Sequence, residues 1–358
     1  MKNTVTSCWL PNPDYGNCWT ELMSILINTQ YLSRLPMLLL LLIVIIVSSG
    51  CMPDKASKTW EHTENALSIT LSHDARYVLI AHSQGYVELR TTDDNKLIDQ
   101  WQHNDSPDAG VIAADFSLDN RYVVTAEQKT IALYDIQAGK ILYFWSLDDI
   151  RDIKLSSDGE FALVSSRDKS GEYPLYRIVY FHLRTGGIKY GFYHDDIIST
   201  IALSADGRYA LSGSDDTKAR LWDLKTGELK FTWPHVSKVS KVQLSPDGRY
   251  AMTNAASEGI YIWDTGTGKQ LRRLNKIRAT VASAAFSADS QRIATGYTRE
   301  EIILWDVKSG AKLQSWKPAR RYFWQSSLAN VTTLAFADEH TLVSETSRGI
   351  LQFWAIHP

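Results

Sequence analysis

Four of the nine histidines lie two residues beyond a Trp or Phe: Trp60-x-His62, Trp101-x-His103, Phe192-x-His194 and Trp233-x-His235. Imidazole is the commonest protein metal ligand and the side chain best suited to proton transfer near neutral pH, so metal binding or acid–base catalysis is the first chemistry to weigh. The run Tyr193-His194-Asp195-Asp196 places two carboxylates beside one of these rings. One histidine and two adjacent carboxylates fall short of a zinc-type centre, which takes three or four well-placed ligands. The recurrence argues for a structural role, because a functional site breaks a repeat and these histidines follow one. No phosphate-binding Gly-rich loop, HExxH, G-x-S-x-G, CxxC pair or EF-hand spacing occurs. No catalytic residue, metal or cofactor is expected, and the chain is not expected to be an enzyme.

A second chemistry is recognition. Residues 317–330 hold Arg320, Arg321, Tyr322, Phe323 and Trp324, and an earlier segment holds Lys276 and Arg278. Arg, Tyr and Trp are the residue types that dominate binding hot spots, so these seven side chains are the candidate contacts to a protein partner. Acidic pairs occur at Asp105 and Asp108, Asp148 and Asp149, Asp195 and Asp196, and Glu61 and Glu64. If all these segments open on one face, that face is acidic along one arc and basic along the other, and it orients a partner of opposite polarity. The net charge of −2 conceals such a division and argues against nucleic acid as a partner.

The elements that must position these residues are legible in residues 201–233, IALSADGRYALSGSDDTKARLWDLKTGELKFTW. Four short runs, 201–203, 209–212, 219–222 and 229–233, are separated by Ala-Asp-Gly, Ser-Asp-Asp and Lys-Thr-Gly. Runs this short between turn residues read as strands. A sheet of this size cannot bury both faces alone and needs copies to stack against. The turn aspartate recurs at Asp74, Asp119, Asp158, Asp206, Asp247, Asp289 and Asp338, in steps of 45, 39, 48, 41, 42 and 49 residues. Seven units at a period near forty have the spacing of four-stranded propeller blades.

The third strand of each unit carries Tyr134-Asp135, Trp222-Asp223, Trp263-Asp264 and Trp305-Asp306, with weaker forms at Phe181-His182 and Trp354-Ala355. On these motifs residues 59–358 resemble the WD-repeat β-propellers. The resemblance implies an all-β, seven-bladed propeller, expected as a monomeric ring, that acts as a scaffold for protein–protein interaction. It also implies that the recurrent histidine belongs to a buried hydrogen-bond chain through Ser or Thr to Trp and to a turn Asp. Blade four supplies the full set as His194, Ser212, Asp216 and Trp222. Blade five has His235, Thr253 and Trp263, with Ser257 at the carboxylate place, and blade six lacks the histidine. The competing reading is an enzyme or small-ligand binder using the central channel. It requires polar residues converging at the channel beyond the repeat positions, and the sequence shows no such cluster.

The seventh unit has runs at 331–336, 341–344 and 350–356 and then no fourth strand. Ser57-Lys58-Thr59-Trp60 matches Leu313-Gln314-Ser315-Trp316 in pattern. The strand around Trp60 is therefore expected to complete the last blade and remove the open edges of the ring. Two excess segments stand out, 167–174 in blade three and 317–330 after blade six. Insertions in repeat proteins map to loops, often on the binding face.

Residues 37–47, MLLLLLIVIIV, are apolar without a charge and are followed by Ser48-Ser49-Gly50-Cys51. Eleven residues span about 16 Å as a helix, short of a bilayer core of roughly 30 Å. A cation before the run and small residues after it give the layout of a cleavable signal segment. The small residues before Cys51 resemble the lipobox of bacterial lipoproteins, although Ser48 holds a place where that family prefers an aliphatic residue. The resemblance implies diacylation of Cys51, a lipidated tether over residues 51–57 and, with Met52 following, an outer-membrane location facing the periplasm. The alternative is an uncleaved anchor over residues 37–47. Asp14, Glu21, Pro11 and Pro13 suit a leader poorly, so translation is expected to start at Met23. The propeller residues 58–358 contain no cysteine.

Overall fold

In a computed structural model, residues 55–62, 66–103, 110–169, 171–255, 258–274, 280–319 and 329–357 are described, all within the unit Pro53–Pro358. They form seven four-stranded antiparallel sheets. Blades one to six run in sequence from the inner strands Ala66–Leu71, Ala113–Phe116, Ile150–Leu155, Ile198–Leu203, Val239–Leu244 and Val281–Phe286 to the outer strands Leu97–Gln102, Lys140–Ser146, Ile188–His194, Glu228–Pro234, Gln270–Leu274 and Lys312–Trp316. Blade seven takes Val331–Phe336, Thr341–Thr346 and Ile350–Ala355 from one end of the ring and Lys58–Glu61 from the other. Each inner strand packs against the inner strands of both neighbours, so the seven sheets close around a channel. The expected all-β seven-bladed propeller is what forms.

Local chemistry sets the repeat. In six blades a serine hydroxyl donates to the aspartate two residues on, as Ser204 to Asp206 at 2.6 Å, and accepts the N–H five residues on, as from Tyr209 at 2.9 Å. The same pair recurs at Ser72, Ser117, Ser156, Ser245 and Ser287. The residue after each aspartate takes a left-handed conformation, with φ of 68° at Gly207. That conformation favours glycine, and Ala75, Asn120 and Ser290 adopt it elsewhere. In blade seven Ala337 replaces the serine, and of the side-chain bonds the turn keeps the one from the His340 N–H to Asp338.

The recurring aromatics join blades to one another. Trp101 of blade one stacks on Tyr134 of blade two at 3.9 Å, Phe192 on Trp222 at 4.5 Å, and Trp233 on Trp263 at 4.9 Å. The outer-strand indoles of Trp60, Trp145 and Trp233 each donate to a carbonyl in the turn before the next blade's outer strand. The WD-type aromatic is thus half of an inter-blade stack, and each pair adds to the area it buries.

The ring closes through the register Lys58↔Phe353, Thr59↔Gln352, Trp60↔Leu351 and Glu61↔Ile350, as the sequence pattern predicts. Beyond the strand, the His62 N–H donates to the Gly349 carbonyl, and Nδ1 lies 2.8 Å from the buried Glu345 carboxylate. The strand enters from the face of the turns between first and second strands and ends at the opposite face, where the loops between blades lie.

The excess in blade three is partly strand. Phe161–Asp168 and Leu175–His182 pair along eight residues, to Asp168↔Leu175, leaving a short connection that contains Tyr173 and Pro174. The segment expected to be all loop therefore extends the sheet. At the segment after blade six, the Ala319 N–H donates to Gln352 and the Ala329 N–H to Glu300. Residues 320–328 lie outside the described residues, as do Lys276, Arg278 and Cys51.

Candidate functional site

His194 leaves the end of the outer strand of blade three and turns under blade four. Its Nδ1 lies 2.9 Å from Asp216 and its Nε2 2.7 Å from the Ser212 hydroxyl, which Trp222 Nε1 approaches at 3.2 Å. The direction of this chain is forced. Indole can only donate and carboxylate only accept, so protons run from Trp222 to Ser212, from Ser212 to His194 Nε2, and from His194 Nδ1 to Asp216. Burial pulls the His194 pKa below its ordinary value, which keeps the ring neutral. Burial works against the Asp216 carboxylate, but the bond and charge from His194 and the N–H groups of Asp195 and Lys218 hold its pKa well below the usual range. Arg220 adds a contact at 3.0 Å. Every member is occupied, so the set fastens blade three to blade four and has no group free for catalysis.

The other blades show how the set degrades. Blade five keeps Trp263 to Thr253 at 2.8 Å, and His235 lies 3.4 Å from Glu258. The carboxylate expected to be missing at Ser257 is thus supplied by the next residue, while Ser257 itself lies outside the described residues. In blade six Trp305 donates to Thr295, and the Tyr297 hydroxyl at 3.1 Å stands where the histidine would. In blade two His103 sits between Thr125 at 2.9 Å and Thr130 at 3.1 Å.

His103 is 1% exposed, and burial alone lowers its pKa to about 4. An unfolded histidine titrates near 6.5, so the unfolded chain binds the extra proton between these values. The contribution is complete above pH 6.5 and is lost as pH falls towards 4, a difference of roughly 3 kcal/mol. Urea melts at pH 7 and 4.5 should show wild type losing stability on acidification and His103→Asn losing clearly less. Equal losses would exclude His103 as a source.

The acidic arc is neutralised in place. Asp149 is buried and meets Arg167 at 2.7 Å and Lys169 at 3.0 Å. Although burial opposes it, these cations lower its pKa to about 2. Asp195 pairs with Lys218 at 2.9 Å and Arg220 at 3.1 Å. The expectation of an acidic half-face is thereby corrected at these two positions, because cations on adjoining strands answer the loop carboxylates. Asp105, Asp108 and Glu64 lie outside the described residues, as do the candidate partner contacts Lys276, Arg278, Arg320, Arg321, Tyr322, Phe323 and Trp324.

The expectation of an unremarkable channel is also corrected. A cavity of about 830 Å³ follows the ring axis and opens at the face of the turns between first and second strands. Asp115, Asp152, Lys154 and Lys241 line it, each from the inner strand of blade two, three or five. Asp115 accepts the Leu155 N–H of the next blade at 2.9 Å, and Asp152 accepts that of Ile201 at 3.1 Å. Lys154 Nζ lies 3.3 Å from Asp152. Burial disfavours its charge, yet Asp152 and Asp115 outweigh burial and raise its pKa. Lys241 shifts the other way, lowered by burial and then by the charge of Lys154. No group of three or more potential metal-ligating His, Cys, Asp or Glu residues occurs among the described residues. Likewise no helix among them is long and apolar enough to cross a membrane.

No curated protein matches the chain. Residues 189–223 match the model of the WD domain, G-beta repeat. The matched stretch runs from the outer strand of blade three to the end of the third strand of blade four, and holds His194, Ser212, Asp216 and Trp222 together. With seven such sheets closed around one channel, the chain is a seven-bladed β-propeller, and the stretch similar to the WD domain, G-beta repeat is the stretch where the hydrogen-bond set is complete.

Proposed function

We propose that the protein is a membrane-tethered scaffold that binds a protein partner in the bacterial envelope. The supporting observation is where the ring departs from its own symmetry. The lengthened hairpin of blade three exposes Tyr173 (75%), Leu175 (54%) and Tyr193 (54%) around Arg177. In an up-and-down sheet the turn of that hairpin opens on the same face as the loops between blades. The strand Lys312–Trp316 ends and the strand Val331–Phe336 begins on this face too, and in sequence Arg320, Arg321, Tyr322, Phe323 and Trp324 lie between them. Exposed aromatics beside arginine on a rigid scaffold suit recognition.

The tether fits the same reading. The closing strand begins at Lys58 on the opposite face, so a lipid on Cys51 would anchor that side and leave the hairpin face directed away from the membrane. Several acyl chains give stable anchoring where one is marginal. Intact mass and membrane fractionation of wild type and Cys51→Ser test the tether. Acylated, membrane-bound wild type and soluble, unmodified variant are expected; unacylated wild type would refute it. A photo-crosslinking residue at position 173 or 324 is expected to trap a discrete partner that the same residue at Arg184, on the other face, does not. Equal trapping from both faces would refute the assignment of the face.

A further inference from the structure

We propose that the channel is a binding site for a small organic monocarboxylate, held by Lys241 and Gln243 of blade five. The case begins with one repeat position. Ser68, Asp152, Thr200, Lys241, Ser283 and Thr333 all lie at the irregularity in their inner strands, where a bulge re-aims the side chain. Asp152, Thr200 and Thr333 accept an N–H of the following blade, from Ile201, Val242 and Leu71, and Ser283 donates to the Val331 carbonyl. This position is the seam that fastens neighbouring blades. A lysine cannot accept an N–H, so Lys241 gives up the seam and contributes a cation to the channel.

That cation has no hydrogen bond or ion pair among the described residues, and neither has the side-chain amide of Gln243. The two are two residues apart on one strand, so both face the channel. Burial makes an unanswered ammonium costly, and its lowered pKa reflects that cost. The equivalent places beside Gln243 are Ala202 and Ala285, and Ala335 follows, so the channel keeps its open volume against blade five. An ammonium and a neighbouring amide N–H are the pair of donors a carboxylate accepts.

Charge selects a monoanion. Lys154 is already committed to Asp152, so Lys241 is the uncommitted cation of the inner-strand wall, which also carries Asp115, while Arg292 lines the channel beside the Asp289 turn. Beside Lys241 a dianion such as phosphate or sulfate would also face the carboxylates of Asp152 and Asp115. At the mouth, Asp74 and Asp289 are tied to Arg76 and Ser72, and to Ser287 and the Gln291 N–H, and do not compete for Lys241.

The test titrates the full chain with valerate carrying a carbon-13 carboxyl label, followed by NMR, beside valeramide, pentylamine and sulfate. Saturable binding of valerate is expected, with valeramide at least tenfold weaker and sulfate and pentylamine weaker than valerate. Lys241→Met should weaken valerate at least tenfold with an unchanged or higher melting temperature, since it removes a half-buried charge that has no ion pair among the described residues. Gln243→Leu should weaken it about threefold. Lys241→Gln serves the same comparison if the methionine variant fails to fold, and the valeramide comparison needs no variant. Absence of saturable valerate binding, equal binding by Lys241→Met or Lys241→Gln, equal binding of valeramide, or tighter binding of sulfate or pentylamine would each overturn the proposal. The scaffold reading is tested on the opposite face, so either can fail alone.

Discussion

Removal of residues 55–61 lowers the melting temperature of the propeller by on the order of 10 °C. The closing strand supplies four registered pairs to Ile350–Ala355. It also carries Trp60, which packs with Leu71, Val78, Ile80 and Val343 and donates to the Thr92 carbonyl at 2.9 Å. Without it the third strand of blade seven becomes an open edge, and the contact from blade seven to the turn of blade one is lost. A partly buried tryptophan and several ladder bonds together amount to about 4 kcal/mol, and for a domain of this size each kcal/mol shifts melting by about 2–3 °C. Exposed edges also template association, so the truncated ring should form oligomers on size-exclusion chromatography. A synthetic peptide of residues 52–62 added in trans should recover part of the loss. Unchanged melting without the strand would refute closure through Lys58–Glu61.

The second large effect falls on Asp216. It accepts from His194, Arg220 and the N–H groups of Asp195 and Lys218, at 2.9 to 3.2 Å. Asp216→Ala leaves a buried histidine without its carboxylate and an almost buried arginine with Asp195 alone. Breaking a buried charged pair by removing one partner costs about 3–5 kcal/mol. Ser212→Ala interrupts the same chain between neutral groups and should cost about 1–3 kcal/mol. The two changes should be less than additive in a double-mutant cycle, because each disables one chain. The pH dependence has a definite sign. The folded carboxylate has a lowered pKa, so its contribution is complete above the unfolded value near 4 and is lost as pH falls below it. Equilibrium urea melts measure both; a cost below about 1 kcal/mol for Asp216→Ala would make the set incidental to blade packing.

The sequence by itself determined the repeat, because the repeat is local chemistry. A serine, an aspartate two residues on and a residue able to turn left-handed make the same turn wherever they occur, so six copies, with Asp338 as a seventh turn aspartate, announce seven blades. Closure was legible for the same reason: Ser57 to Trp60 has the outer-strand pattern of Leu313 to Trp316. The partners of His194 were legible through the resemblance to the WD-repeat propellers, which implies a chain from Trp through Ser and His to a turn Asp. Only the tertiary structure decided what meets across blades. Glu258 answers His235, and the Tyr297 hydroxyl stands in for a histidine, through side-chain reach that spacing does not express. Asp149 and Asp195 are neutralised by Arg167, Lys169, Lys218 and Arg220 because strand pairing brings those cations beside the loops. The channel was the least legible. Asp115, Asp152, Lys154 and Lys241 are spread over more than a hundred residues of chain, and each reads alone as one polar residue in a short strand. The ring turns all four inward, and the inter-blade seam then shows that Lys241 is the one left without a partner.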